Sequence, residues 1–534
     1  MDNVSWKLID TYFRDNPSNL VVHHLESYND FFNGGIQSIF KENNPVRFIE
    51  REEKDKQTRN ECLLYLGGKK GNKIYYGKPM IYDDNSHMHY MYPNEARLRN
   101  MTYGVTIHYD VDVEMIYYEI DTESEKEPIA SRKKVRIQSL TERKVQRKQT
   151  VTLEKIFLGR FPIMLKSNIC ILHSLSAEVC FNMGECRNDY GGYFIIDGKE
   201  KVIIPQETFA NNMLYVRANK EDDVYSHSAE IRSVSEDASK PIRTTGVKIV
   251  APSPAYTNQQ LVVTVPNVRK PVPLFILMRA LGVISDKAII ETCLLDLNKN
   301  KDYIDLFIPS IHDANMIFEQ ETALRYIASF TKRKTVNAVL DILMNYFLPH
   351  IGETNLLDKA YFVGTMVFSV LRVLKKQENP TDRDNFKFKR IEQSGSLIYE
   401  LFREFFLIQN RAIALAIDKE HYYNPGKYKD NFIGLFDKEQ TNYQNFFKER
   451  VVETGFRKAF KGNWGSQENT KRLGVVQDLN RLSWNTFISQ LRKLNLPLDS
   501  SAKVVGPRLL HGSQWGYIDP VDTPDGGNIG LHKH

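Results

Sequence analysis

The densest concentration of residues able to do chemistry lies late in the chain. From Arg457 to Arg508 there are ten Lys/Arg (Arg457, Lys458, Lys461, Lys471, Arg472, Arg481, Arg492, Lys493, Lys503, Arg508) against Glu468, Asp478 and Asp499. That stretch is +7 in a chain of net charge +6, so everything else sums to −1. A second run, SRKKVRIQSLTERKVQRKQT from Ser131 to Thr150, holds eight basic residues opposed only by Glu142. Cations confined to two stretches point to a polyanion; the alternative for each is a solvated face.

Other candidate chemistry is weaker. Asp110, Asp112 and Glu114 share one face of an alternating run and suggest a D-x-D metal site. Carboxylates at i and i+2 are also what the wet face of a strand carries, and no glycine-rich turn or third ligand accompanies them, so the metal reading is rejected. GGKKGNK, from Gly67 to Lys73, lacks the order in which backbone amides and a lysine wrap phosphate and reads as a hairpin turn. The five cysteines (Cys62, Cys170, Cys180, Cys186, Cys293) include no C-x2-C pair, which argues against zinc bound by this chain alone and against a disulfide scaffold. They read as buried thiols in a reducing, intracellular compartment.

The elements that must position these residues follow from the hydrophobic pattern. A chain of 534 residues, 42% hydrophobic and 26% charged, has apolar surface for several cores. No apolar run is long enough for a membrane span, and the start reads as an amphipathic helix, not a secretory signal. YGVTIHYDVDVEMIYYEI (Tyr103 to Ile120) alternates like a strand that faces water on one side. In GGYFIIDGKEKVIIPQE (Gly191 to Glu207) the Asp197-Gly198 pair between apolar runs predicts a hairpin. VPLFILMRALGVI, TVNAVLDILMNYFLPHI, KAYFVGTMVFSVLRVLKK and SLIYELFREFFLIQN have helical spacing, and Pro380 marks a boundary before the last.

Six motifs occur in order: NEARLRNMTY (Asn94 to Tyr103), FPIMLKS (Phe161 to Ser167), GGYFIIDGKEKVIIPQE, DRDNFKFKR (Asp382 to Arg390), GNWG (Gly462 to Gly465) and GPRLLHGSQWGYIDPVDTPDGGNIGL (Gly506 to Leu531). Together they resemble the second-largest, β-like subunit of multisubunit DNA-directed RNA polymerases, from about residue 20 onward. The wording GGNIGL suggests a large-DNA-virus enzyme. The resemblance implies a mixed α/β (α+β), multidomain architecture: an N-terminal helix at 1–19, protrusion at 20–215, lobe at 216–392, protrusion again at 393–462, and a truncated fork at 463–534. It also implies that this is an N-terminal half. The family's later segments, with the cations nearest the nucleotide and a Zn2+ site, lie beyond it. The Mg2+-holding aspartates belong to the largest subunit. The expected partners are that β'-like subunit and the other polymerase subunits, template DNA, nascent RNA and NTPs, with no membrane.

QDLNRLSWNTFISQLRKLN (Gln477 to Asn495) resembles the segment that lines the RNA path and forms the rifamycin pocket in bacterial β subunits. Gln477, Asn480, Arg481, Arg492 and Lys493 fall on its motif positions, where amides reach sugar and base edges and cations reach phosphate. Alternatively Arg492 and Lys493 pair with acidic neighbours. Gln490 replaces a frequent histidine. LDSSAKVV carries Lys503 on the second fork loop, with Ser500 where an arginine can stand. Arg508 and His511 follow, expected near the bubble or the RNA 3′ end; a hydrogen-bonded structural histidine is the other reading of His511. Asp522 and Asp525 stand where the family usually has glutamates, and Asp525 is the residue expected nearest the active centre, or a turn former. Trp464 and Trp484 read as packing residues. The implied function is DNA-templated RNA synthesis as part of a complex, the isolated chain being inactive; the alternative is a non-catalytic nucleic-acid-binding scaffold.

Overall fold

A computed structural model describes residues 2–50, 60–82, 88–120, 144–220, 223–236, 242–252, 259–314, 316–428, 432–437, 443–466 and 472–534. The chain forms two compact units. The first comprises Met1–Glu207, Ile391–Val504 and Ile518–His534, and the second Thr208–Arg390 and Val505–Tyr517.

The first unit is built on a long antiparallel pair, Gly104–Ile120 with Lys144–Pro162. Alternate residues Val105, Ile107, Tyr109, Val111, Val113 and Met115 are buried, as period-2 patterning requires. They share a core with the 30-residue helix Ser394–Tyr423 and with Val451–Phe460. Aromatic rings dominate: Phe161 meets Phe402 and Phe456 at 5.7 and 4.8 Å between centroids, and Phe40 meets Tyr109 at 5.4 Å. Gly455 is required by this packing, since a Cβ there would sit 2.5 Å from the Phe405 ring.

Two expectations change here. Glu61–Leu66 and Ile74–Gly77 both pair antiparallel with the long strand, Leu66 opposite Val111 and Ile74 opposite Tyr109. They therefore run end to end along one edge, and GGKKGNK is a loop bulging from that edge, closed by Gly67 N–H to Asp110 O at 2.7 Å and Asp110 N–H to Lys73 O at 3.1 Å. It is not a hairpin turn. The carboxylate face is not wet either, because Asp110 and Glu114 are buried. Lys69 and Lys148 hydrogen-bond Glu114 and hold its carboxyl below the ordinary range. Lys73 binds Asp112 at 2.8 Å, and Tyr75 donates to Asp110 at 2.8 Å. Among the described residues no group of three or more metal-ligating side chains occurs.

The hairpin at Asp197-Gly198 forms as read. Phe194–Ile196 pairs with Lys199–Ile203, and Asp197 and Gly198 take φ of 48° and 77°, the two positive values a type I′ turn needs. The N-terminal helix Asp2–Asp15 leaves Trp6, Leu8, Tyr12 and Phe13 exposed. Four cysteines are buried and Cys186 is exposed, correcting the expectation that all five are buried; all are free thiols. Among the described residues no helix is long and apolar enough to cross a membrane. Residues 131–143 of the second basic run lie outside the described residues.

The second unit carries five antiparallel strands in sequence order, Leu214–Ala218, Tyr225–Ser233, Arg243–Val250, Leu261–Thr264 and Val272–Pro273. Val216, Ala229, Ile231, Val247 and Ile249 form one core with helices Leu274–Ala280, Gln320–Ser329 and Leu356–Leu374. The run TVNAVLDILMNYFLPHI is helical but changes from α (Val336–Asp341) to π (Ile342–Tyr346). Buried Lys359 accounts for the change being tolerated: its Nζ donates to the carbonyls of Leu343 and Met344 at 2.7 and 2.9 Å, satisfying groups that the wider turn leaves open.

Candidate nucleic-acid interface

The segment expected to line a nucleic-acid path is fastened at three places in the first unit. Val476–Asp478 adds a strand to the Asp197-Gly198 hairpin, with Gln477 opposite Val202. Helix Trp484–Leu491 is capped by Ser483, whose Oγ accepts the Thr486 N–H at 3.2 Å, and buries Phe487, Ile488 and Leu491. At its end the Leu491 carbonyl accepts from Nε2 of His23 and His24 at 3.1 and 2.7 Å. Burial is the main reason His24 is pushed down to about 3, with His23 adding to it against the carbonyl bond, so the ring is neutral in the fold. Leu494–Asn495 then pairs with His532–Lys533 and, through Asn495, with Gln206.

The predicted residues are treated very differently by this frame. Arg481 is the most engaged. Its Nε donates to Glu200 Oε2 at 2.8 Å, and its Nη2 donates to Glu200 Oε1, Asp189 Oδ2 and Tyr193 Oη at 3.0, 3.1 and 3.0 Å. Arg97 approaches the same groups: Nε to Glu200 at 2.9 Å, Nη1 to Glu185 at 2.8 Å, Nη2 to Tyr193 Oη at 2.8 Å. Tyr193 in turn donates to Asp189 at 2.6 Å. Burial opposes the charge on Arg481, but the Glu200 bonds and the fields of Tyr193, Asp189 and Glu200 outweigh it and keep the guanidinium ionised. Arg481, expected among the phosphate-contacting cations, thus commits two of its three guanidinium nitrogens to internal acceptors. Among the described residues only its Nη1 is uncommitted.

Gln477 donates to the Gly474 carbonyl at 3.1 Å. Asn480 is exposed; its Oδ1 accepts the Leu482 N–H at 2.9 Å, and its own N–H goes to Gln490 Oε1 at 2.6 Å. Gln490 also donates to the Asp478 carbonyl at 2.8 Å, so it staples the 478–480 turn to the helix. Arg492 is exposed, with one donor on the Leu20 carbonyl at 3.0 Å, and has no acidic partner among the described residues. Lys493 is half-buried, and desolvation holds its ammonium below the ordinary lysine range against the pull of Asp522. Lys503 is exposed just beyond the turn that the Ala502 N–H to Asp499 carbonyl bond closes.

Arg508 and His511 belong to the second unit. Arg508 ends the short 3-10 turn Gly506–Arg508 and is partly buried. His511 bridges two groups, Nε2 with Asp382 Oδ2 at 2.7 Å and Nδ1 with Ser513 Oγ at 2.6 Å. Ser513 Oγ also accepts the Phe386 N–H at 2.9 Å, so this histidine fastens the DRDNFKFKR loop. Asp525, in the first unit, is exposed at the start of Gly526–Asn528. Asp522 lies 3.5 Å from His534. Trp464 is buried beside Phe460, while Trp484 is 52% exposed, which departs from its reading as packing.

Sequence reasoning passed over Arg97, Glu185, Asp189, Tyr193 and Glu200. The signal for three of them was present: Arg97 lies inside NEARLRNMTY, and Tyr193 and Glu200 lie inside GGYFIIDGKEKVIIPQE. Polar groups that the fold buries need partners, and here they find one another.

A family profile described as RNA polymerase beta subunit matches residues 19–429, and one described as RNA polymerase Rpb2, domain 3, matches residues 477–534. The chain is 32% identical to DNA-directed RNA polymerase II subunit RPB2 of Eremothecium gossypii over 99% of its own length and 42% of that protein. It is 31% identical to DNA-directed RNA polymerase II subunit 2 of Arabidopsis thaliana, again over 99% of this chain and 42% of the relative. With DNA-directed RNA polymerase subunit Rpo2N of Methanothermobacter thermautotrophicus it shares 28% identity over its full length and 94% of the relative. The chain thus spans less than half of the first two. A viral source, suggested by GGNIGL, finds no support in these fungal, plant and archaeal relatives.

Proposed function

This chain belongs to the RNA polymerase beta subunit family, and from that membership we propose that it forms the N-terminal portion of the second-largest subunit of a DNA-directed RNA polymerase. The observation that carries the reading is the end-to-end match with Rpo2N, 100% of this chain and 94% of the relative. The proposed work is intracellular and non-membrane: to hold template DNA, the bubble and nascent RNA while a β'-like subunit and the remaining polymerase segments complete RNA synthesis from NTPs. Holding is part of catalysis, because a misplacement of about 1 Å at the reacting end can cost on the order of a hundredfold in rate.

Nucleotidyl transfer draws on Mg2+ held by clustered carboxylates. The donor sets among the described residues do not fit such a metal, since Asp522 and Asp525 are exposed single carboxylates and no group of three or more ligating side chains occurs. The metal is assigned to the companion subunit and Zn2+ to segments outside this chain, so neither enters a step here. What this chain's residues do is grip. Lys503 and Arg492 offer exposed cations to phosphate, Lys493 offers a partly desolvated ammonium, and Gln477 and Asn480 offer amides. Arg508 and His511 are assigned to the same nucleic acid, and Asp525 to the edge of the active centre. Arg481 contributes by fixing the segment that carries them.

An assembled polymerase containing this chain provides the test. Arg492→Glu with Lys503→Glu is expected to slow elongation at least tenfold while subunit assembly stays intact. Loss of assembly with normal elongation in whatever complex forms would overturn the assignment. The isolated chain is expected to incorporate no nucleotide.

A further inference from the structure

A second set of cations lies on the second unit. Strand alternation puts Tyr215, Arg217, Glu230, Arg232 and Thr244 on one face of the five-stranded sheet, opposite the buried Val216, Ala229, Ile231 and Val247. With Phe209 and Arg383, from the DRDNFKFKR loop, they line a partly enclosed cavity of about 260 Å³. Arg383 is stacked, its guanidinium carbon 4.6 Å from the centroid of Phe209 and 5.6 Å from that of Tyr215. Lys389 lies 4.0 Å from the Phe209 centroid.

The charge in this cavity is not balanced. Arg217 is answered by Glu230 at 2.9 Å and by Ser228 Oγ at 3.1 Å. Arg232 and Arg383 are exposed and meet no carboxylate among the described residues. Burial raises the Tyr215 phenol above its ordinary range, with Arg383, Arg232 and Arg390 acting in the opposite direction.

We propose that this cavity is a docking site for a phosphomonoester on a polypeptide, that is, a phosphoserine or phosphothreonine side chain of a partner protein. Two unmatched guanidiniums equal the roughly −1.5 to −2 charge of such a group. Forked donors suit its oxygens, and stacking on an aromatic face pre-orients the fork, so little freedom is lost on binding. The aromatic floor takes the aliphatic stem that carries the phosphate. A nucleic-acid strand fits less well: each internal phosphodiester carries one charge, is flanked on both sides by its own chain, and has no free stem with which to enter a recess. Glu230 in the wall further disfavours a continuous run of phosphates.

Calorimetric titration of the full 534-residue chain with acetyl-Gly-phosphoserine-Gly-amide tests the proposal. Saturable binding is expected, with at least tenfold weaker binding of the unphosphorylated peptide. Arg232→Ala with Arg383→Ala is expected to weaken the phosphopeptide at least tenfold, and Arg217→Ala less. Arg383→Lys, which keeps the charge and loses the fork, is also expected to weaken it, while the urea unfolding curves of these variants stay unchanged. No saturable binding, or equal affinity in the double variant, would overturn the proposal. So would a 12-nucleotide single strand that displaces the peptide at lower concentration and loses its own binding in the same variant, which would make the cavity a nucleic-acid site.

Discussion

The two arginine clusters of this molecule use the same side chain to opposite ends. In the first unit Arg97 and Arg481 meet three carboxylates, Glu185, Asp189 and Glu200, and a buried tyrosine, so cation is outnumbered by anion. In the second unit three arginines line a cavity with one carboxylate, and cation is in excess. The first arrangement has satisfied itself and holds its segment rigid; the second has unmatched charge. A count of Lys and Arg along the chain cannot separate them. What separates them is whether the fold brings acids to the same place, and those acids come from residues 185 to 200, far in sequence from Arg481.

The largest expected effect follows from that contrast. Arg97→Ala would leave Glu185, nearly inaccessible, without the guanidinium that donates to both its oxygens, and would take one donor from Glu200. Removing one partner of a buried pair costs about 3–5 kcal/mol, whereas a surface change away from such features stays within about 0.5 kcal/mol. Urea unfolding is therefore expected to show a loss of several kcal/mol for Arg97→Ala and almost none for Arg383→Ala. Equal losses would erase the distinction between the two clusters.

A smaller effect separates the fastening of the 477–495 segment from its exposed cations. His24 titrates near the ordinary value of 6.5 when unfolded and at about 3 when folded. Between those values the unfolded state binds the extra proton, so stability is fully present above pH 6.5 and falls as the pH is lowered toward 3. From pH 6.5 to 5 the loss from this one group is about 2 kcal/mol, at 1.36 kcal/mol per unit. His532, pushed down to about 4 by burial and then by Lys493, His534 and Lys533, works in the same direction. His24→Gln, which can still donate to the Leu491 carbonyl, is expected to flatten the stability–pH curve over this range. An unchanged curve would mean that the buried imidazole is not what makes this fastening acid-sensitive.

Much of the fold was legible because its signals are local. The Asp197-Gly198 turn, the 394–423 helix and the long alternating strand each need only their own residues to be read. The misreadings concern long-range pairing. GGKKGNK looks like a hairpin because glycines turn chains, but only the pairing of residues 61–66 and 74–77 with one strand reveals that the direction does not reverse. Asp110 and Glu114 look solvated because they alternate with apolar residues. Glu114 is covered by Lys69 and Lys148, and Asp110 accepts from the Tyr75 hydroxyl and the Lys155 N–H, all from other segments. The candidate site behaves likewise: its charge was visible and its acids were not. Cys186 is exposed and Trp484 half so, because burial is decided by neighbours that composition does not name.

The finest test compares cations one at a time. Lys201 lies 2.5 Å from Asp478 and is largely buried, whereas Lys503 is exposed and has no carboxylate partner among the described residues. A phosphate contact releases counterions, so removing one genuine contact lowers the slope of log affinity against log salt by about 1 and weakens binding evenly across sequences. For single-stranded oligonucleotide and the full chain, Lys503→Ala is expected to lower that slope by about 1. Lys201→Ala should leave it unchanged, since a lysine already neutralised by Asp478 holds few counterions to exchange. If both substitutions changed the slope equally, internal pairing would not be what sorts structural cations from binding ones. The contrast between the two arginine clusters would then have to rest on shape alone.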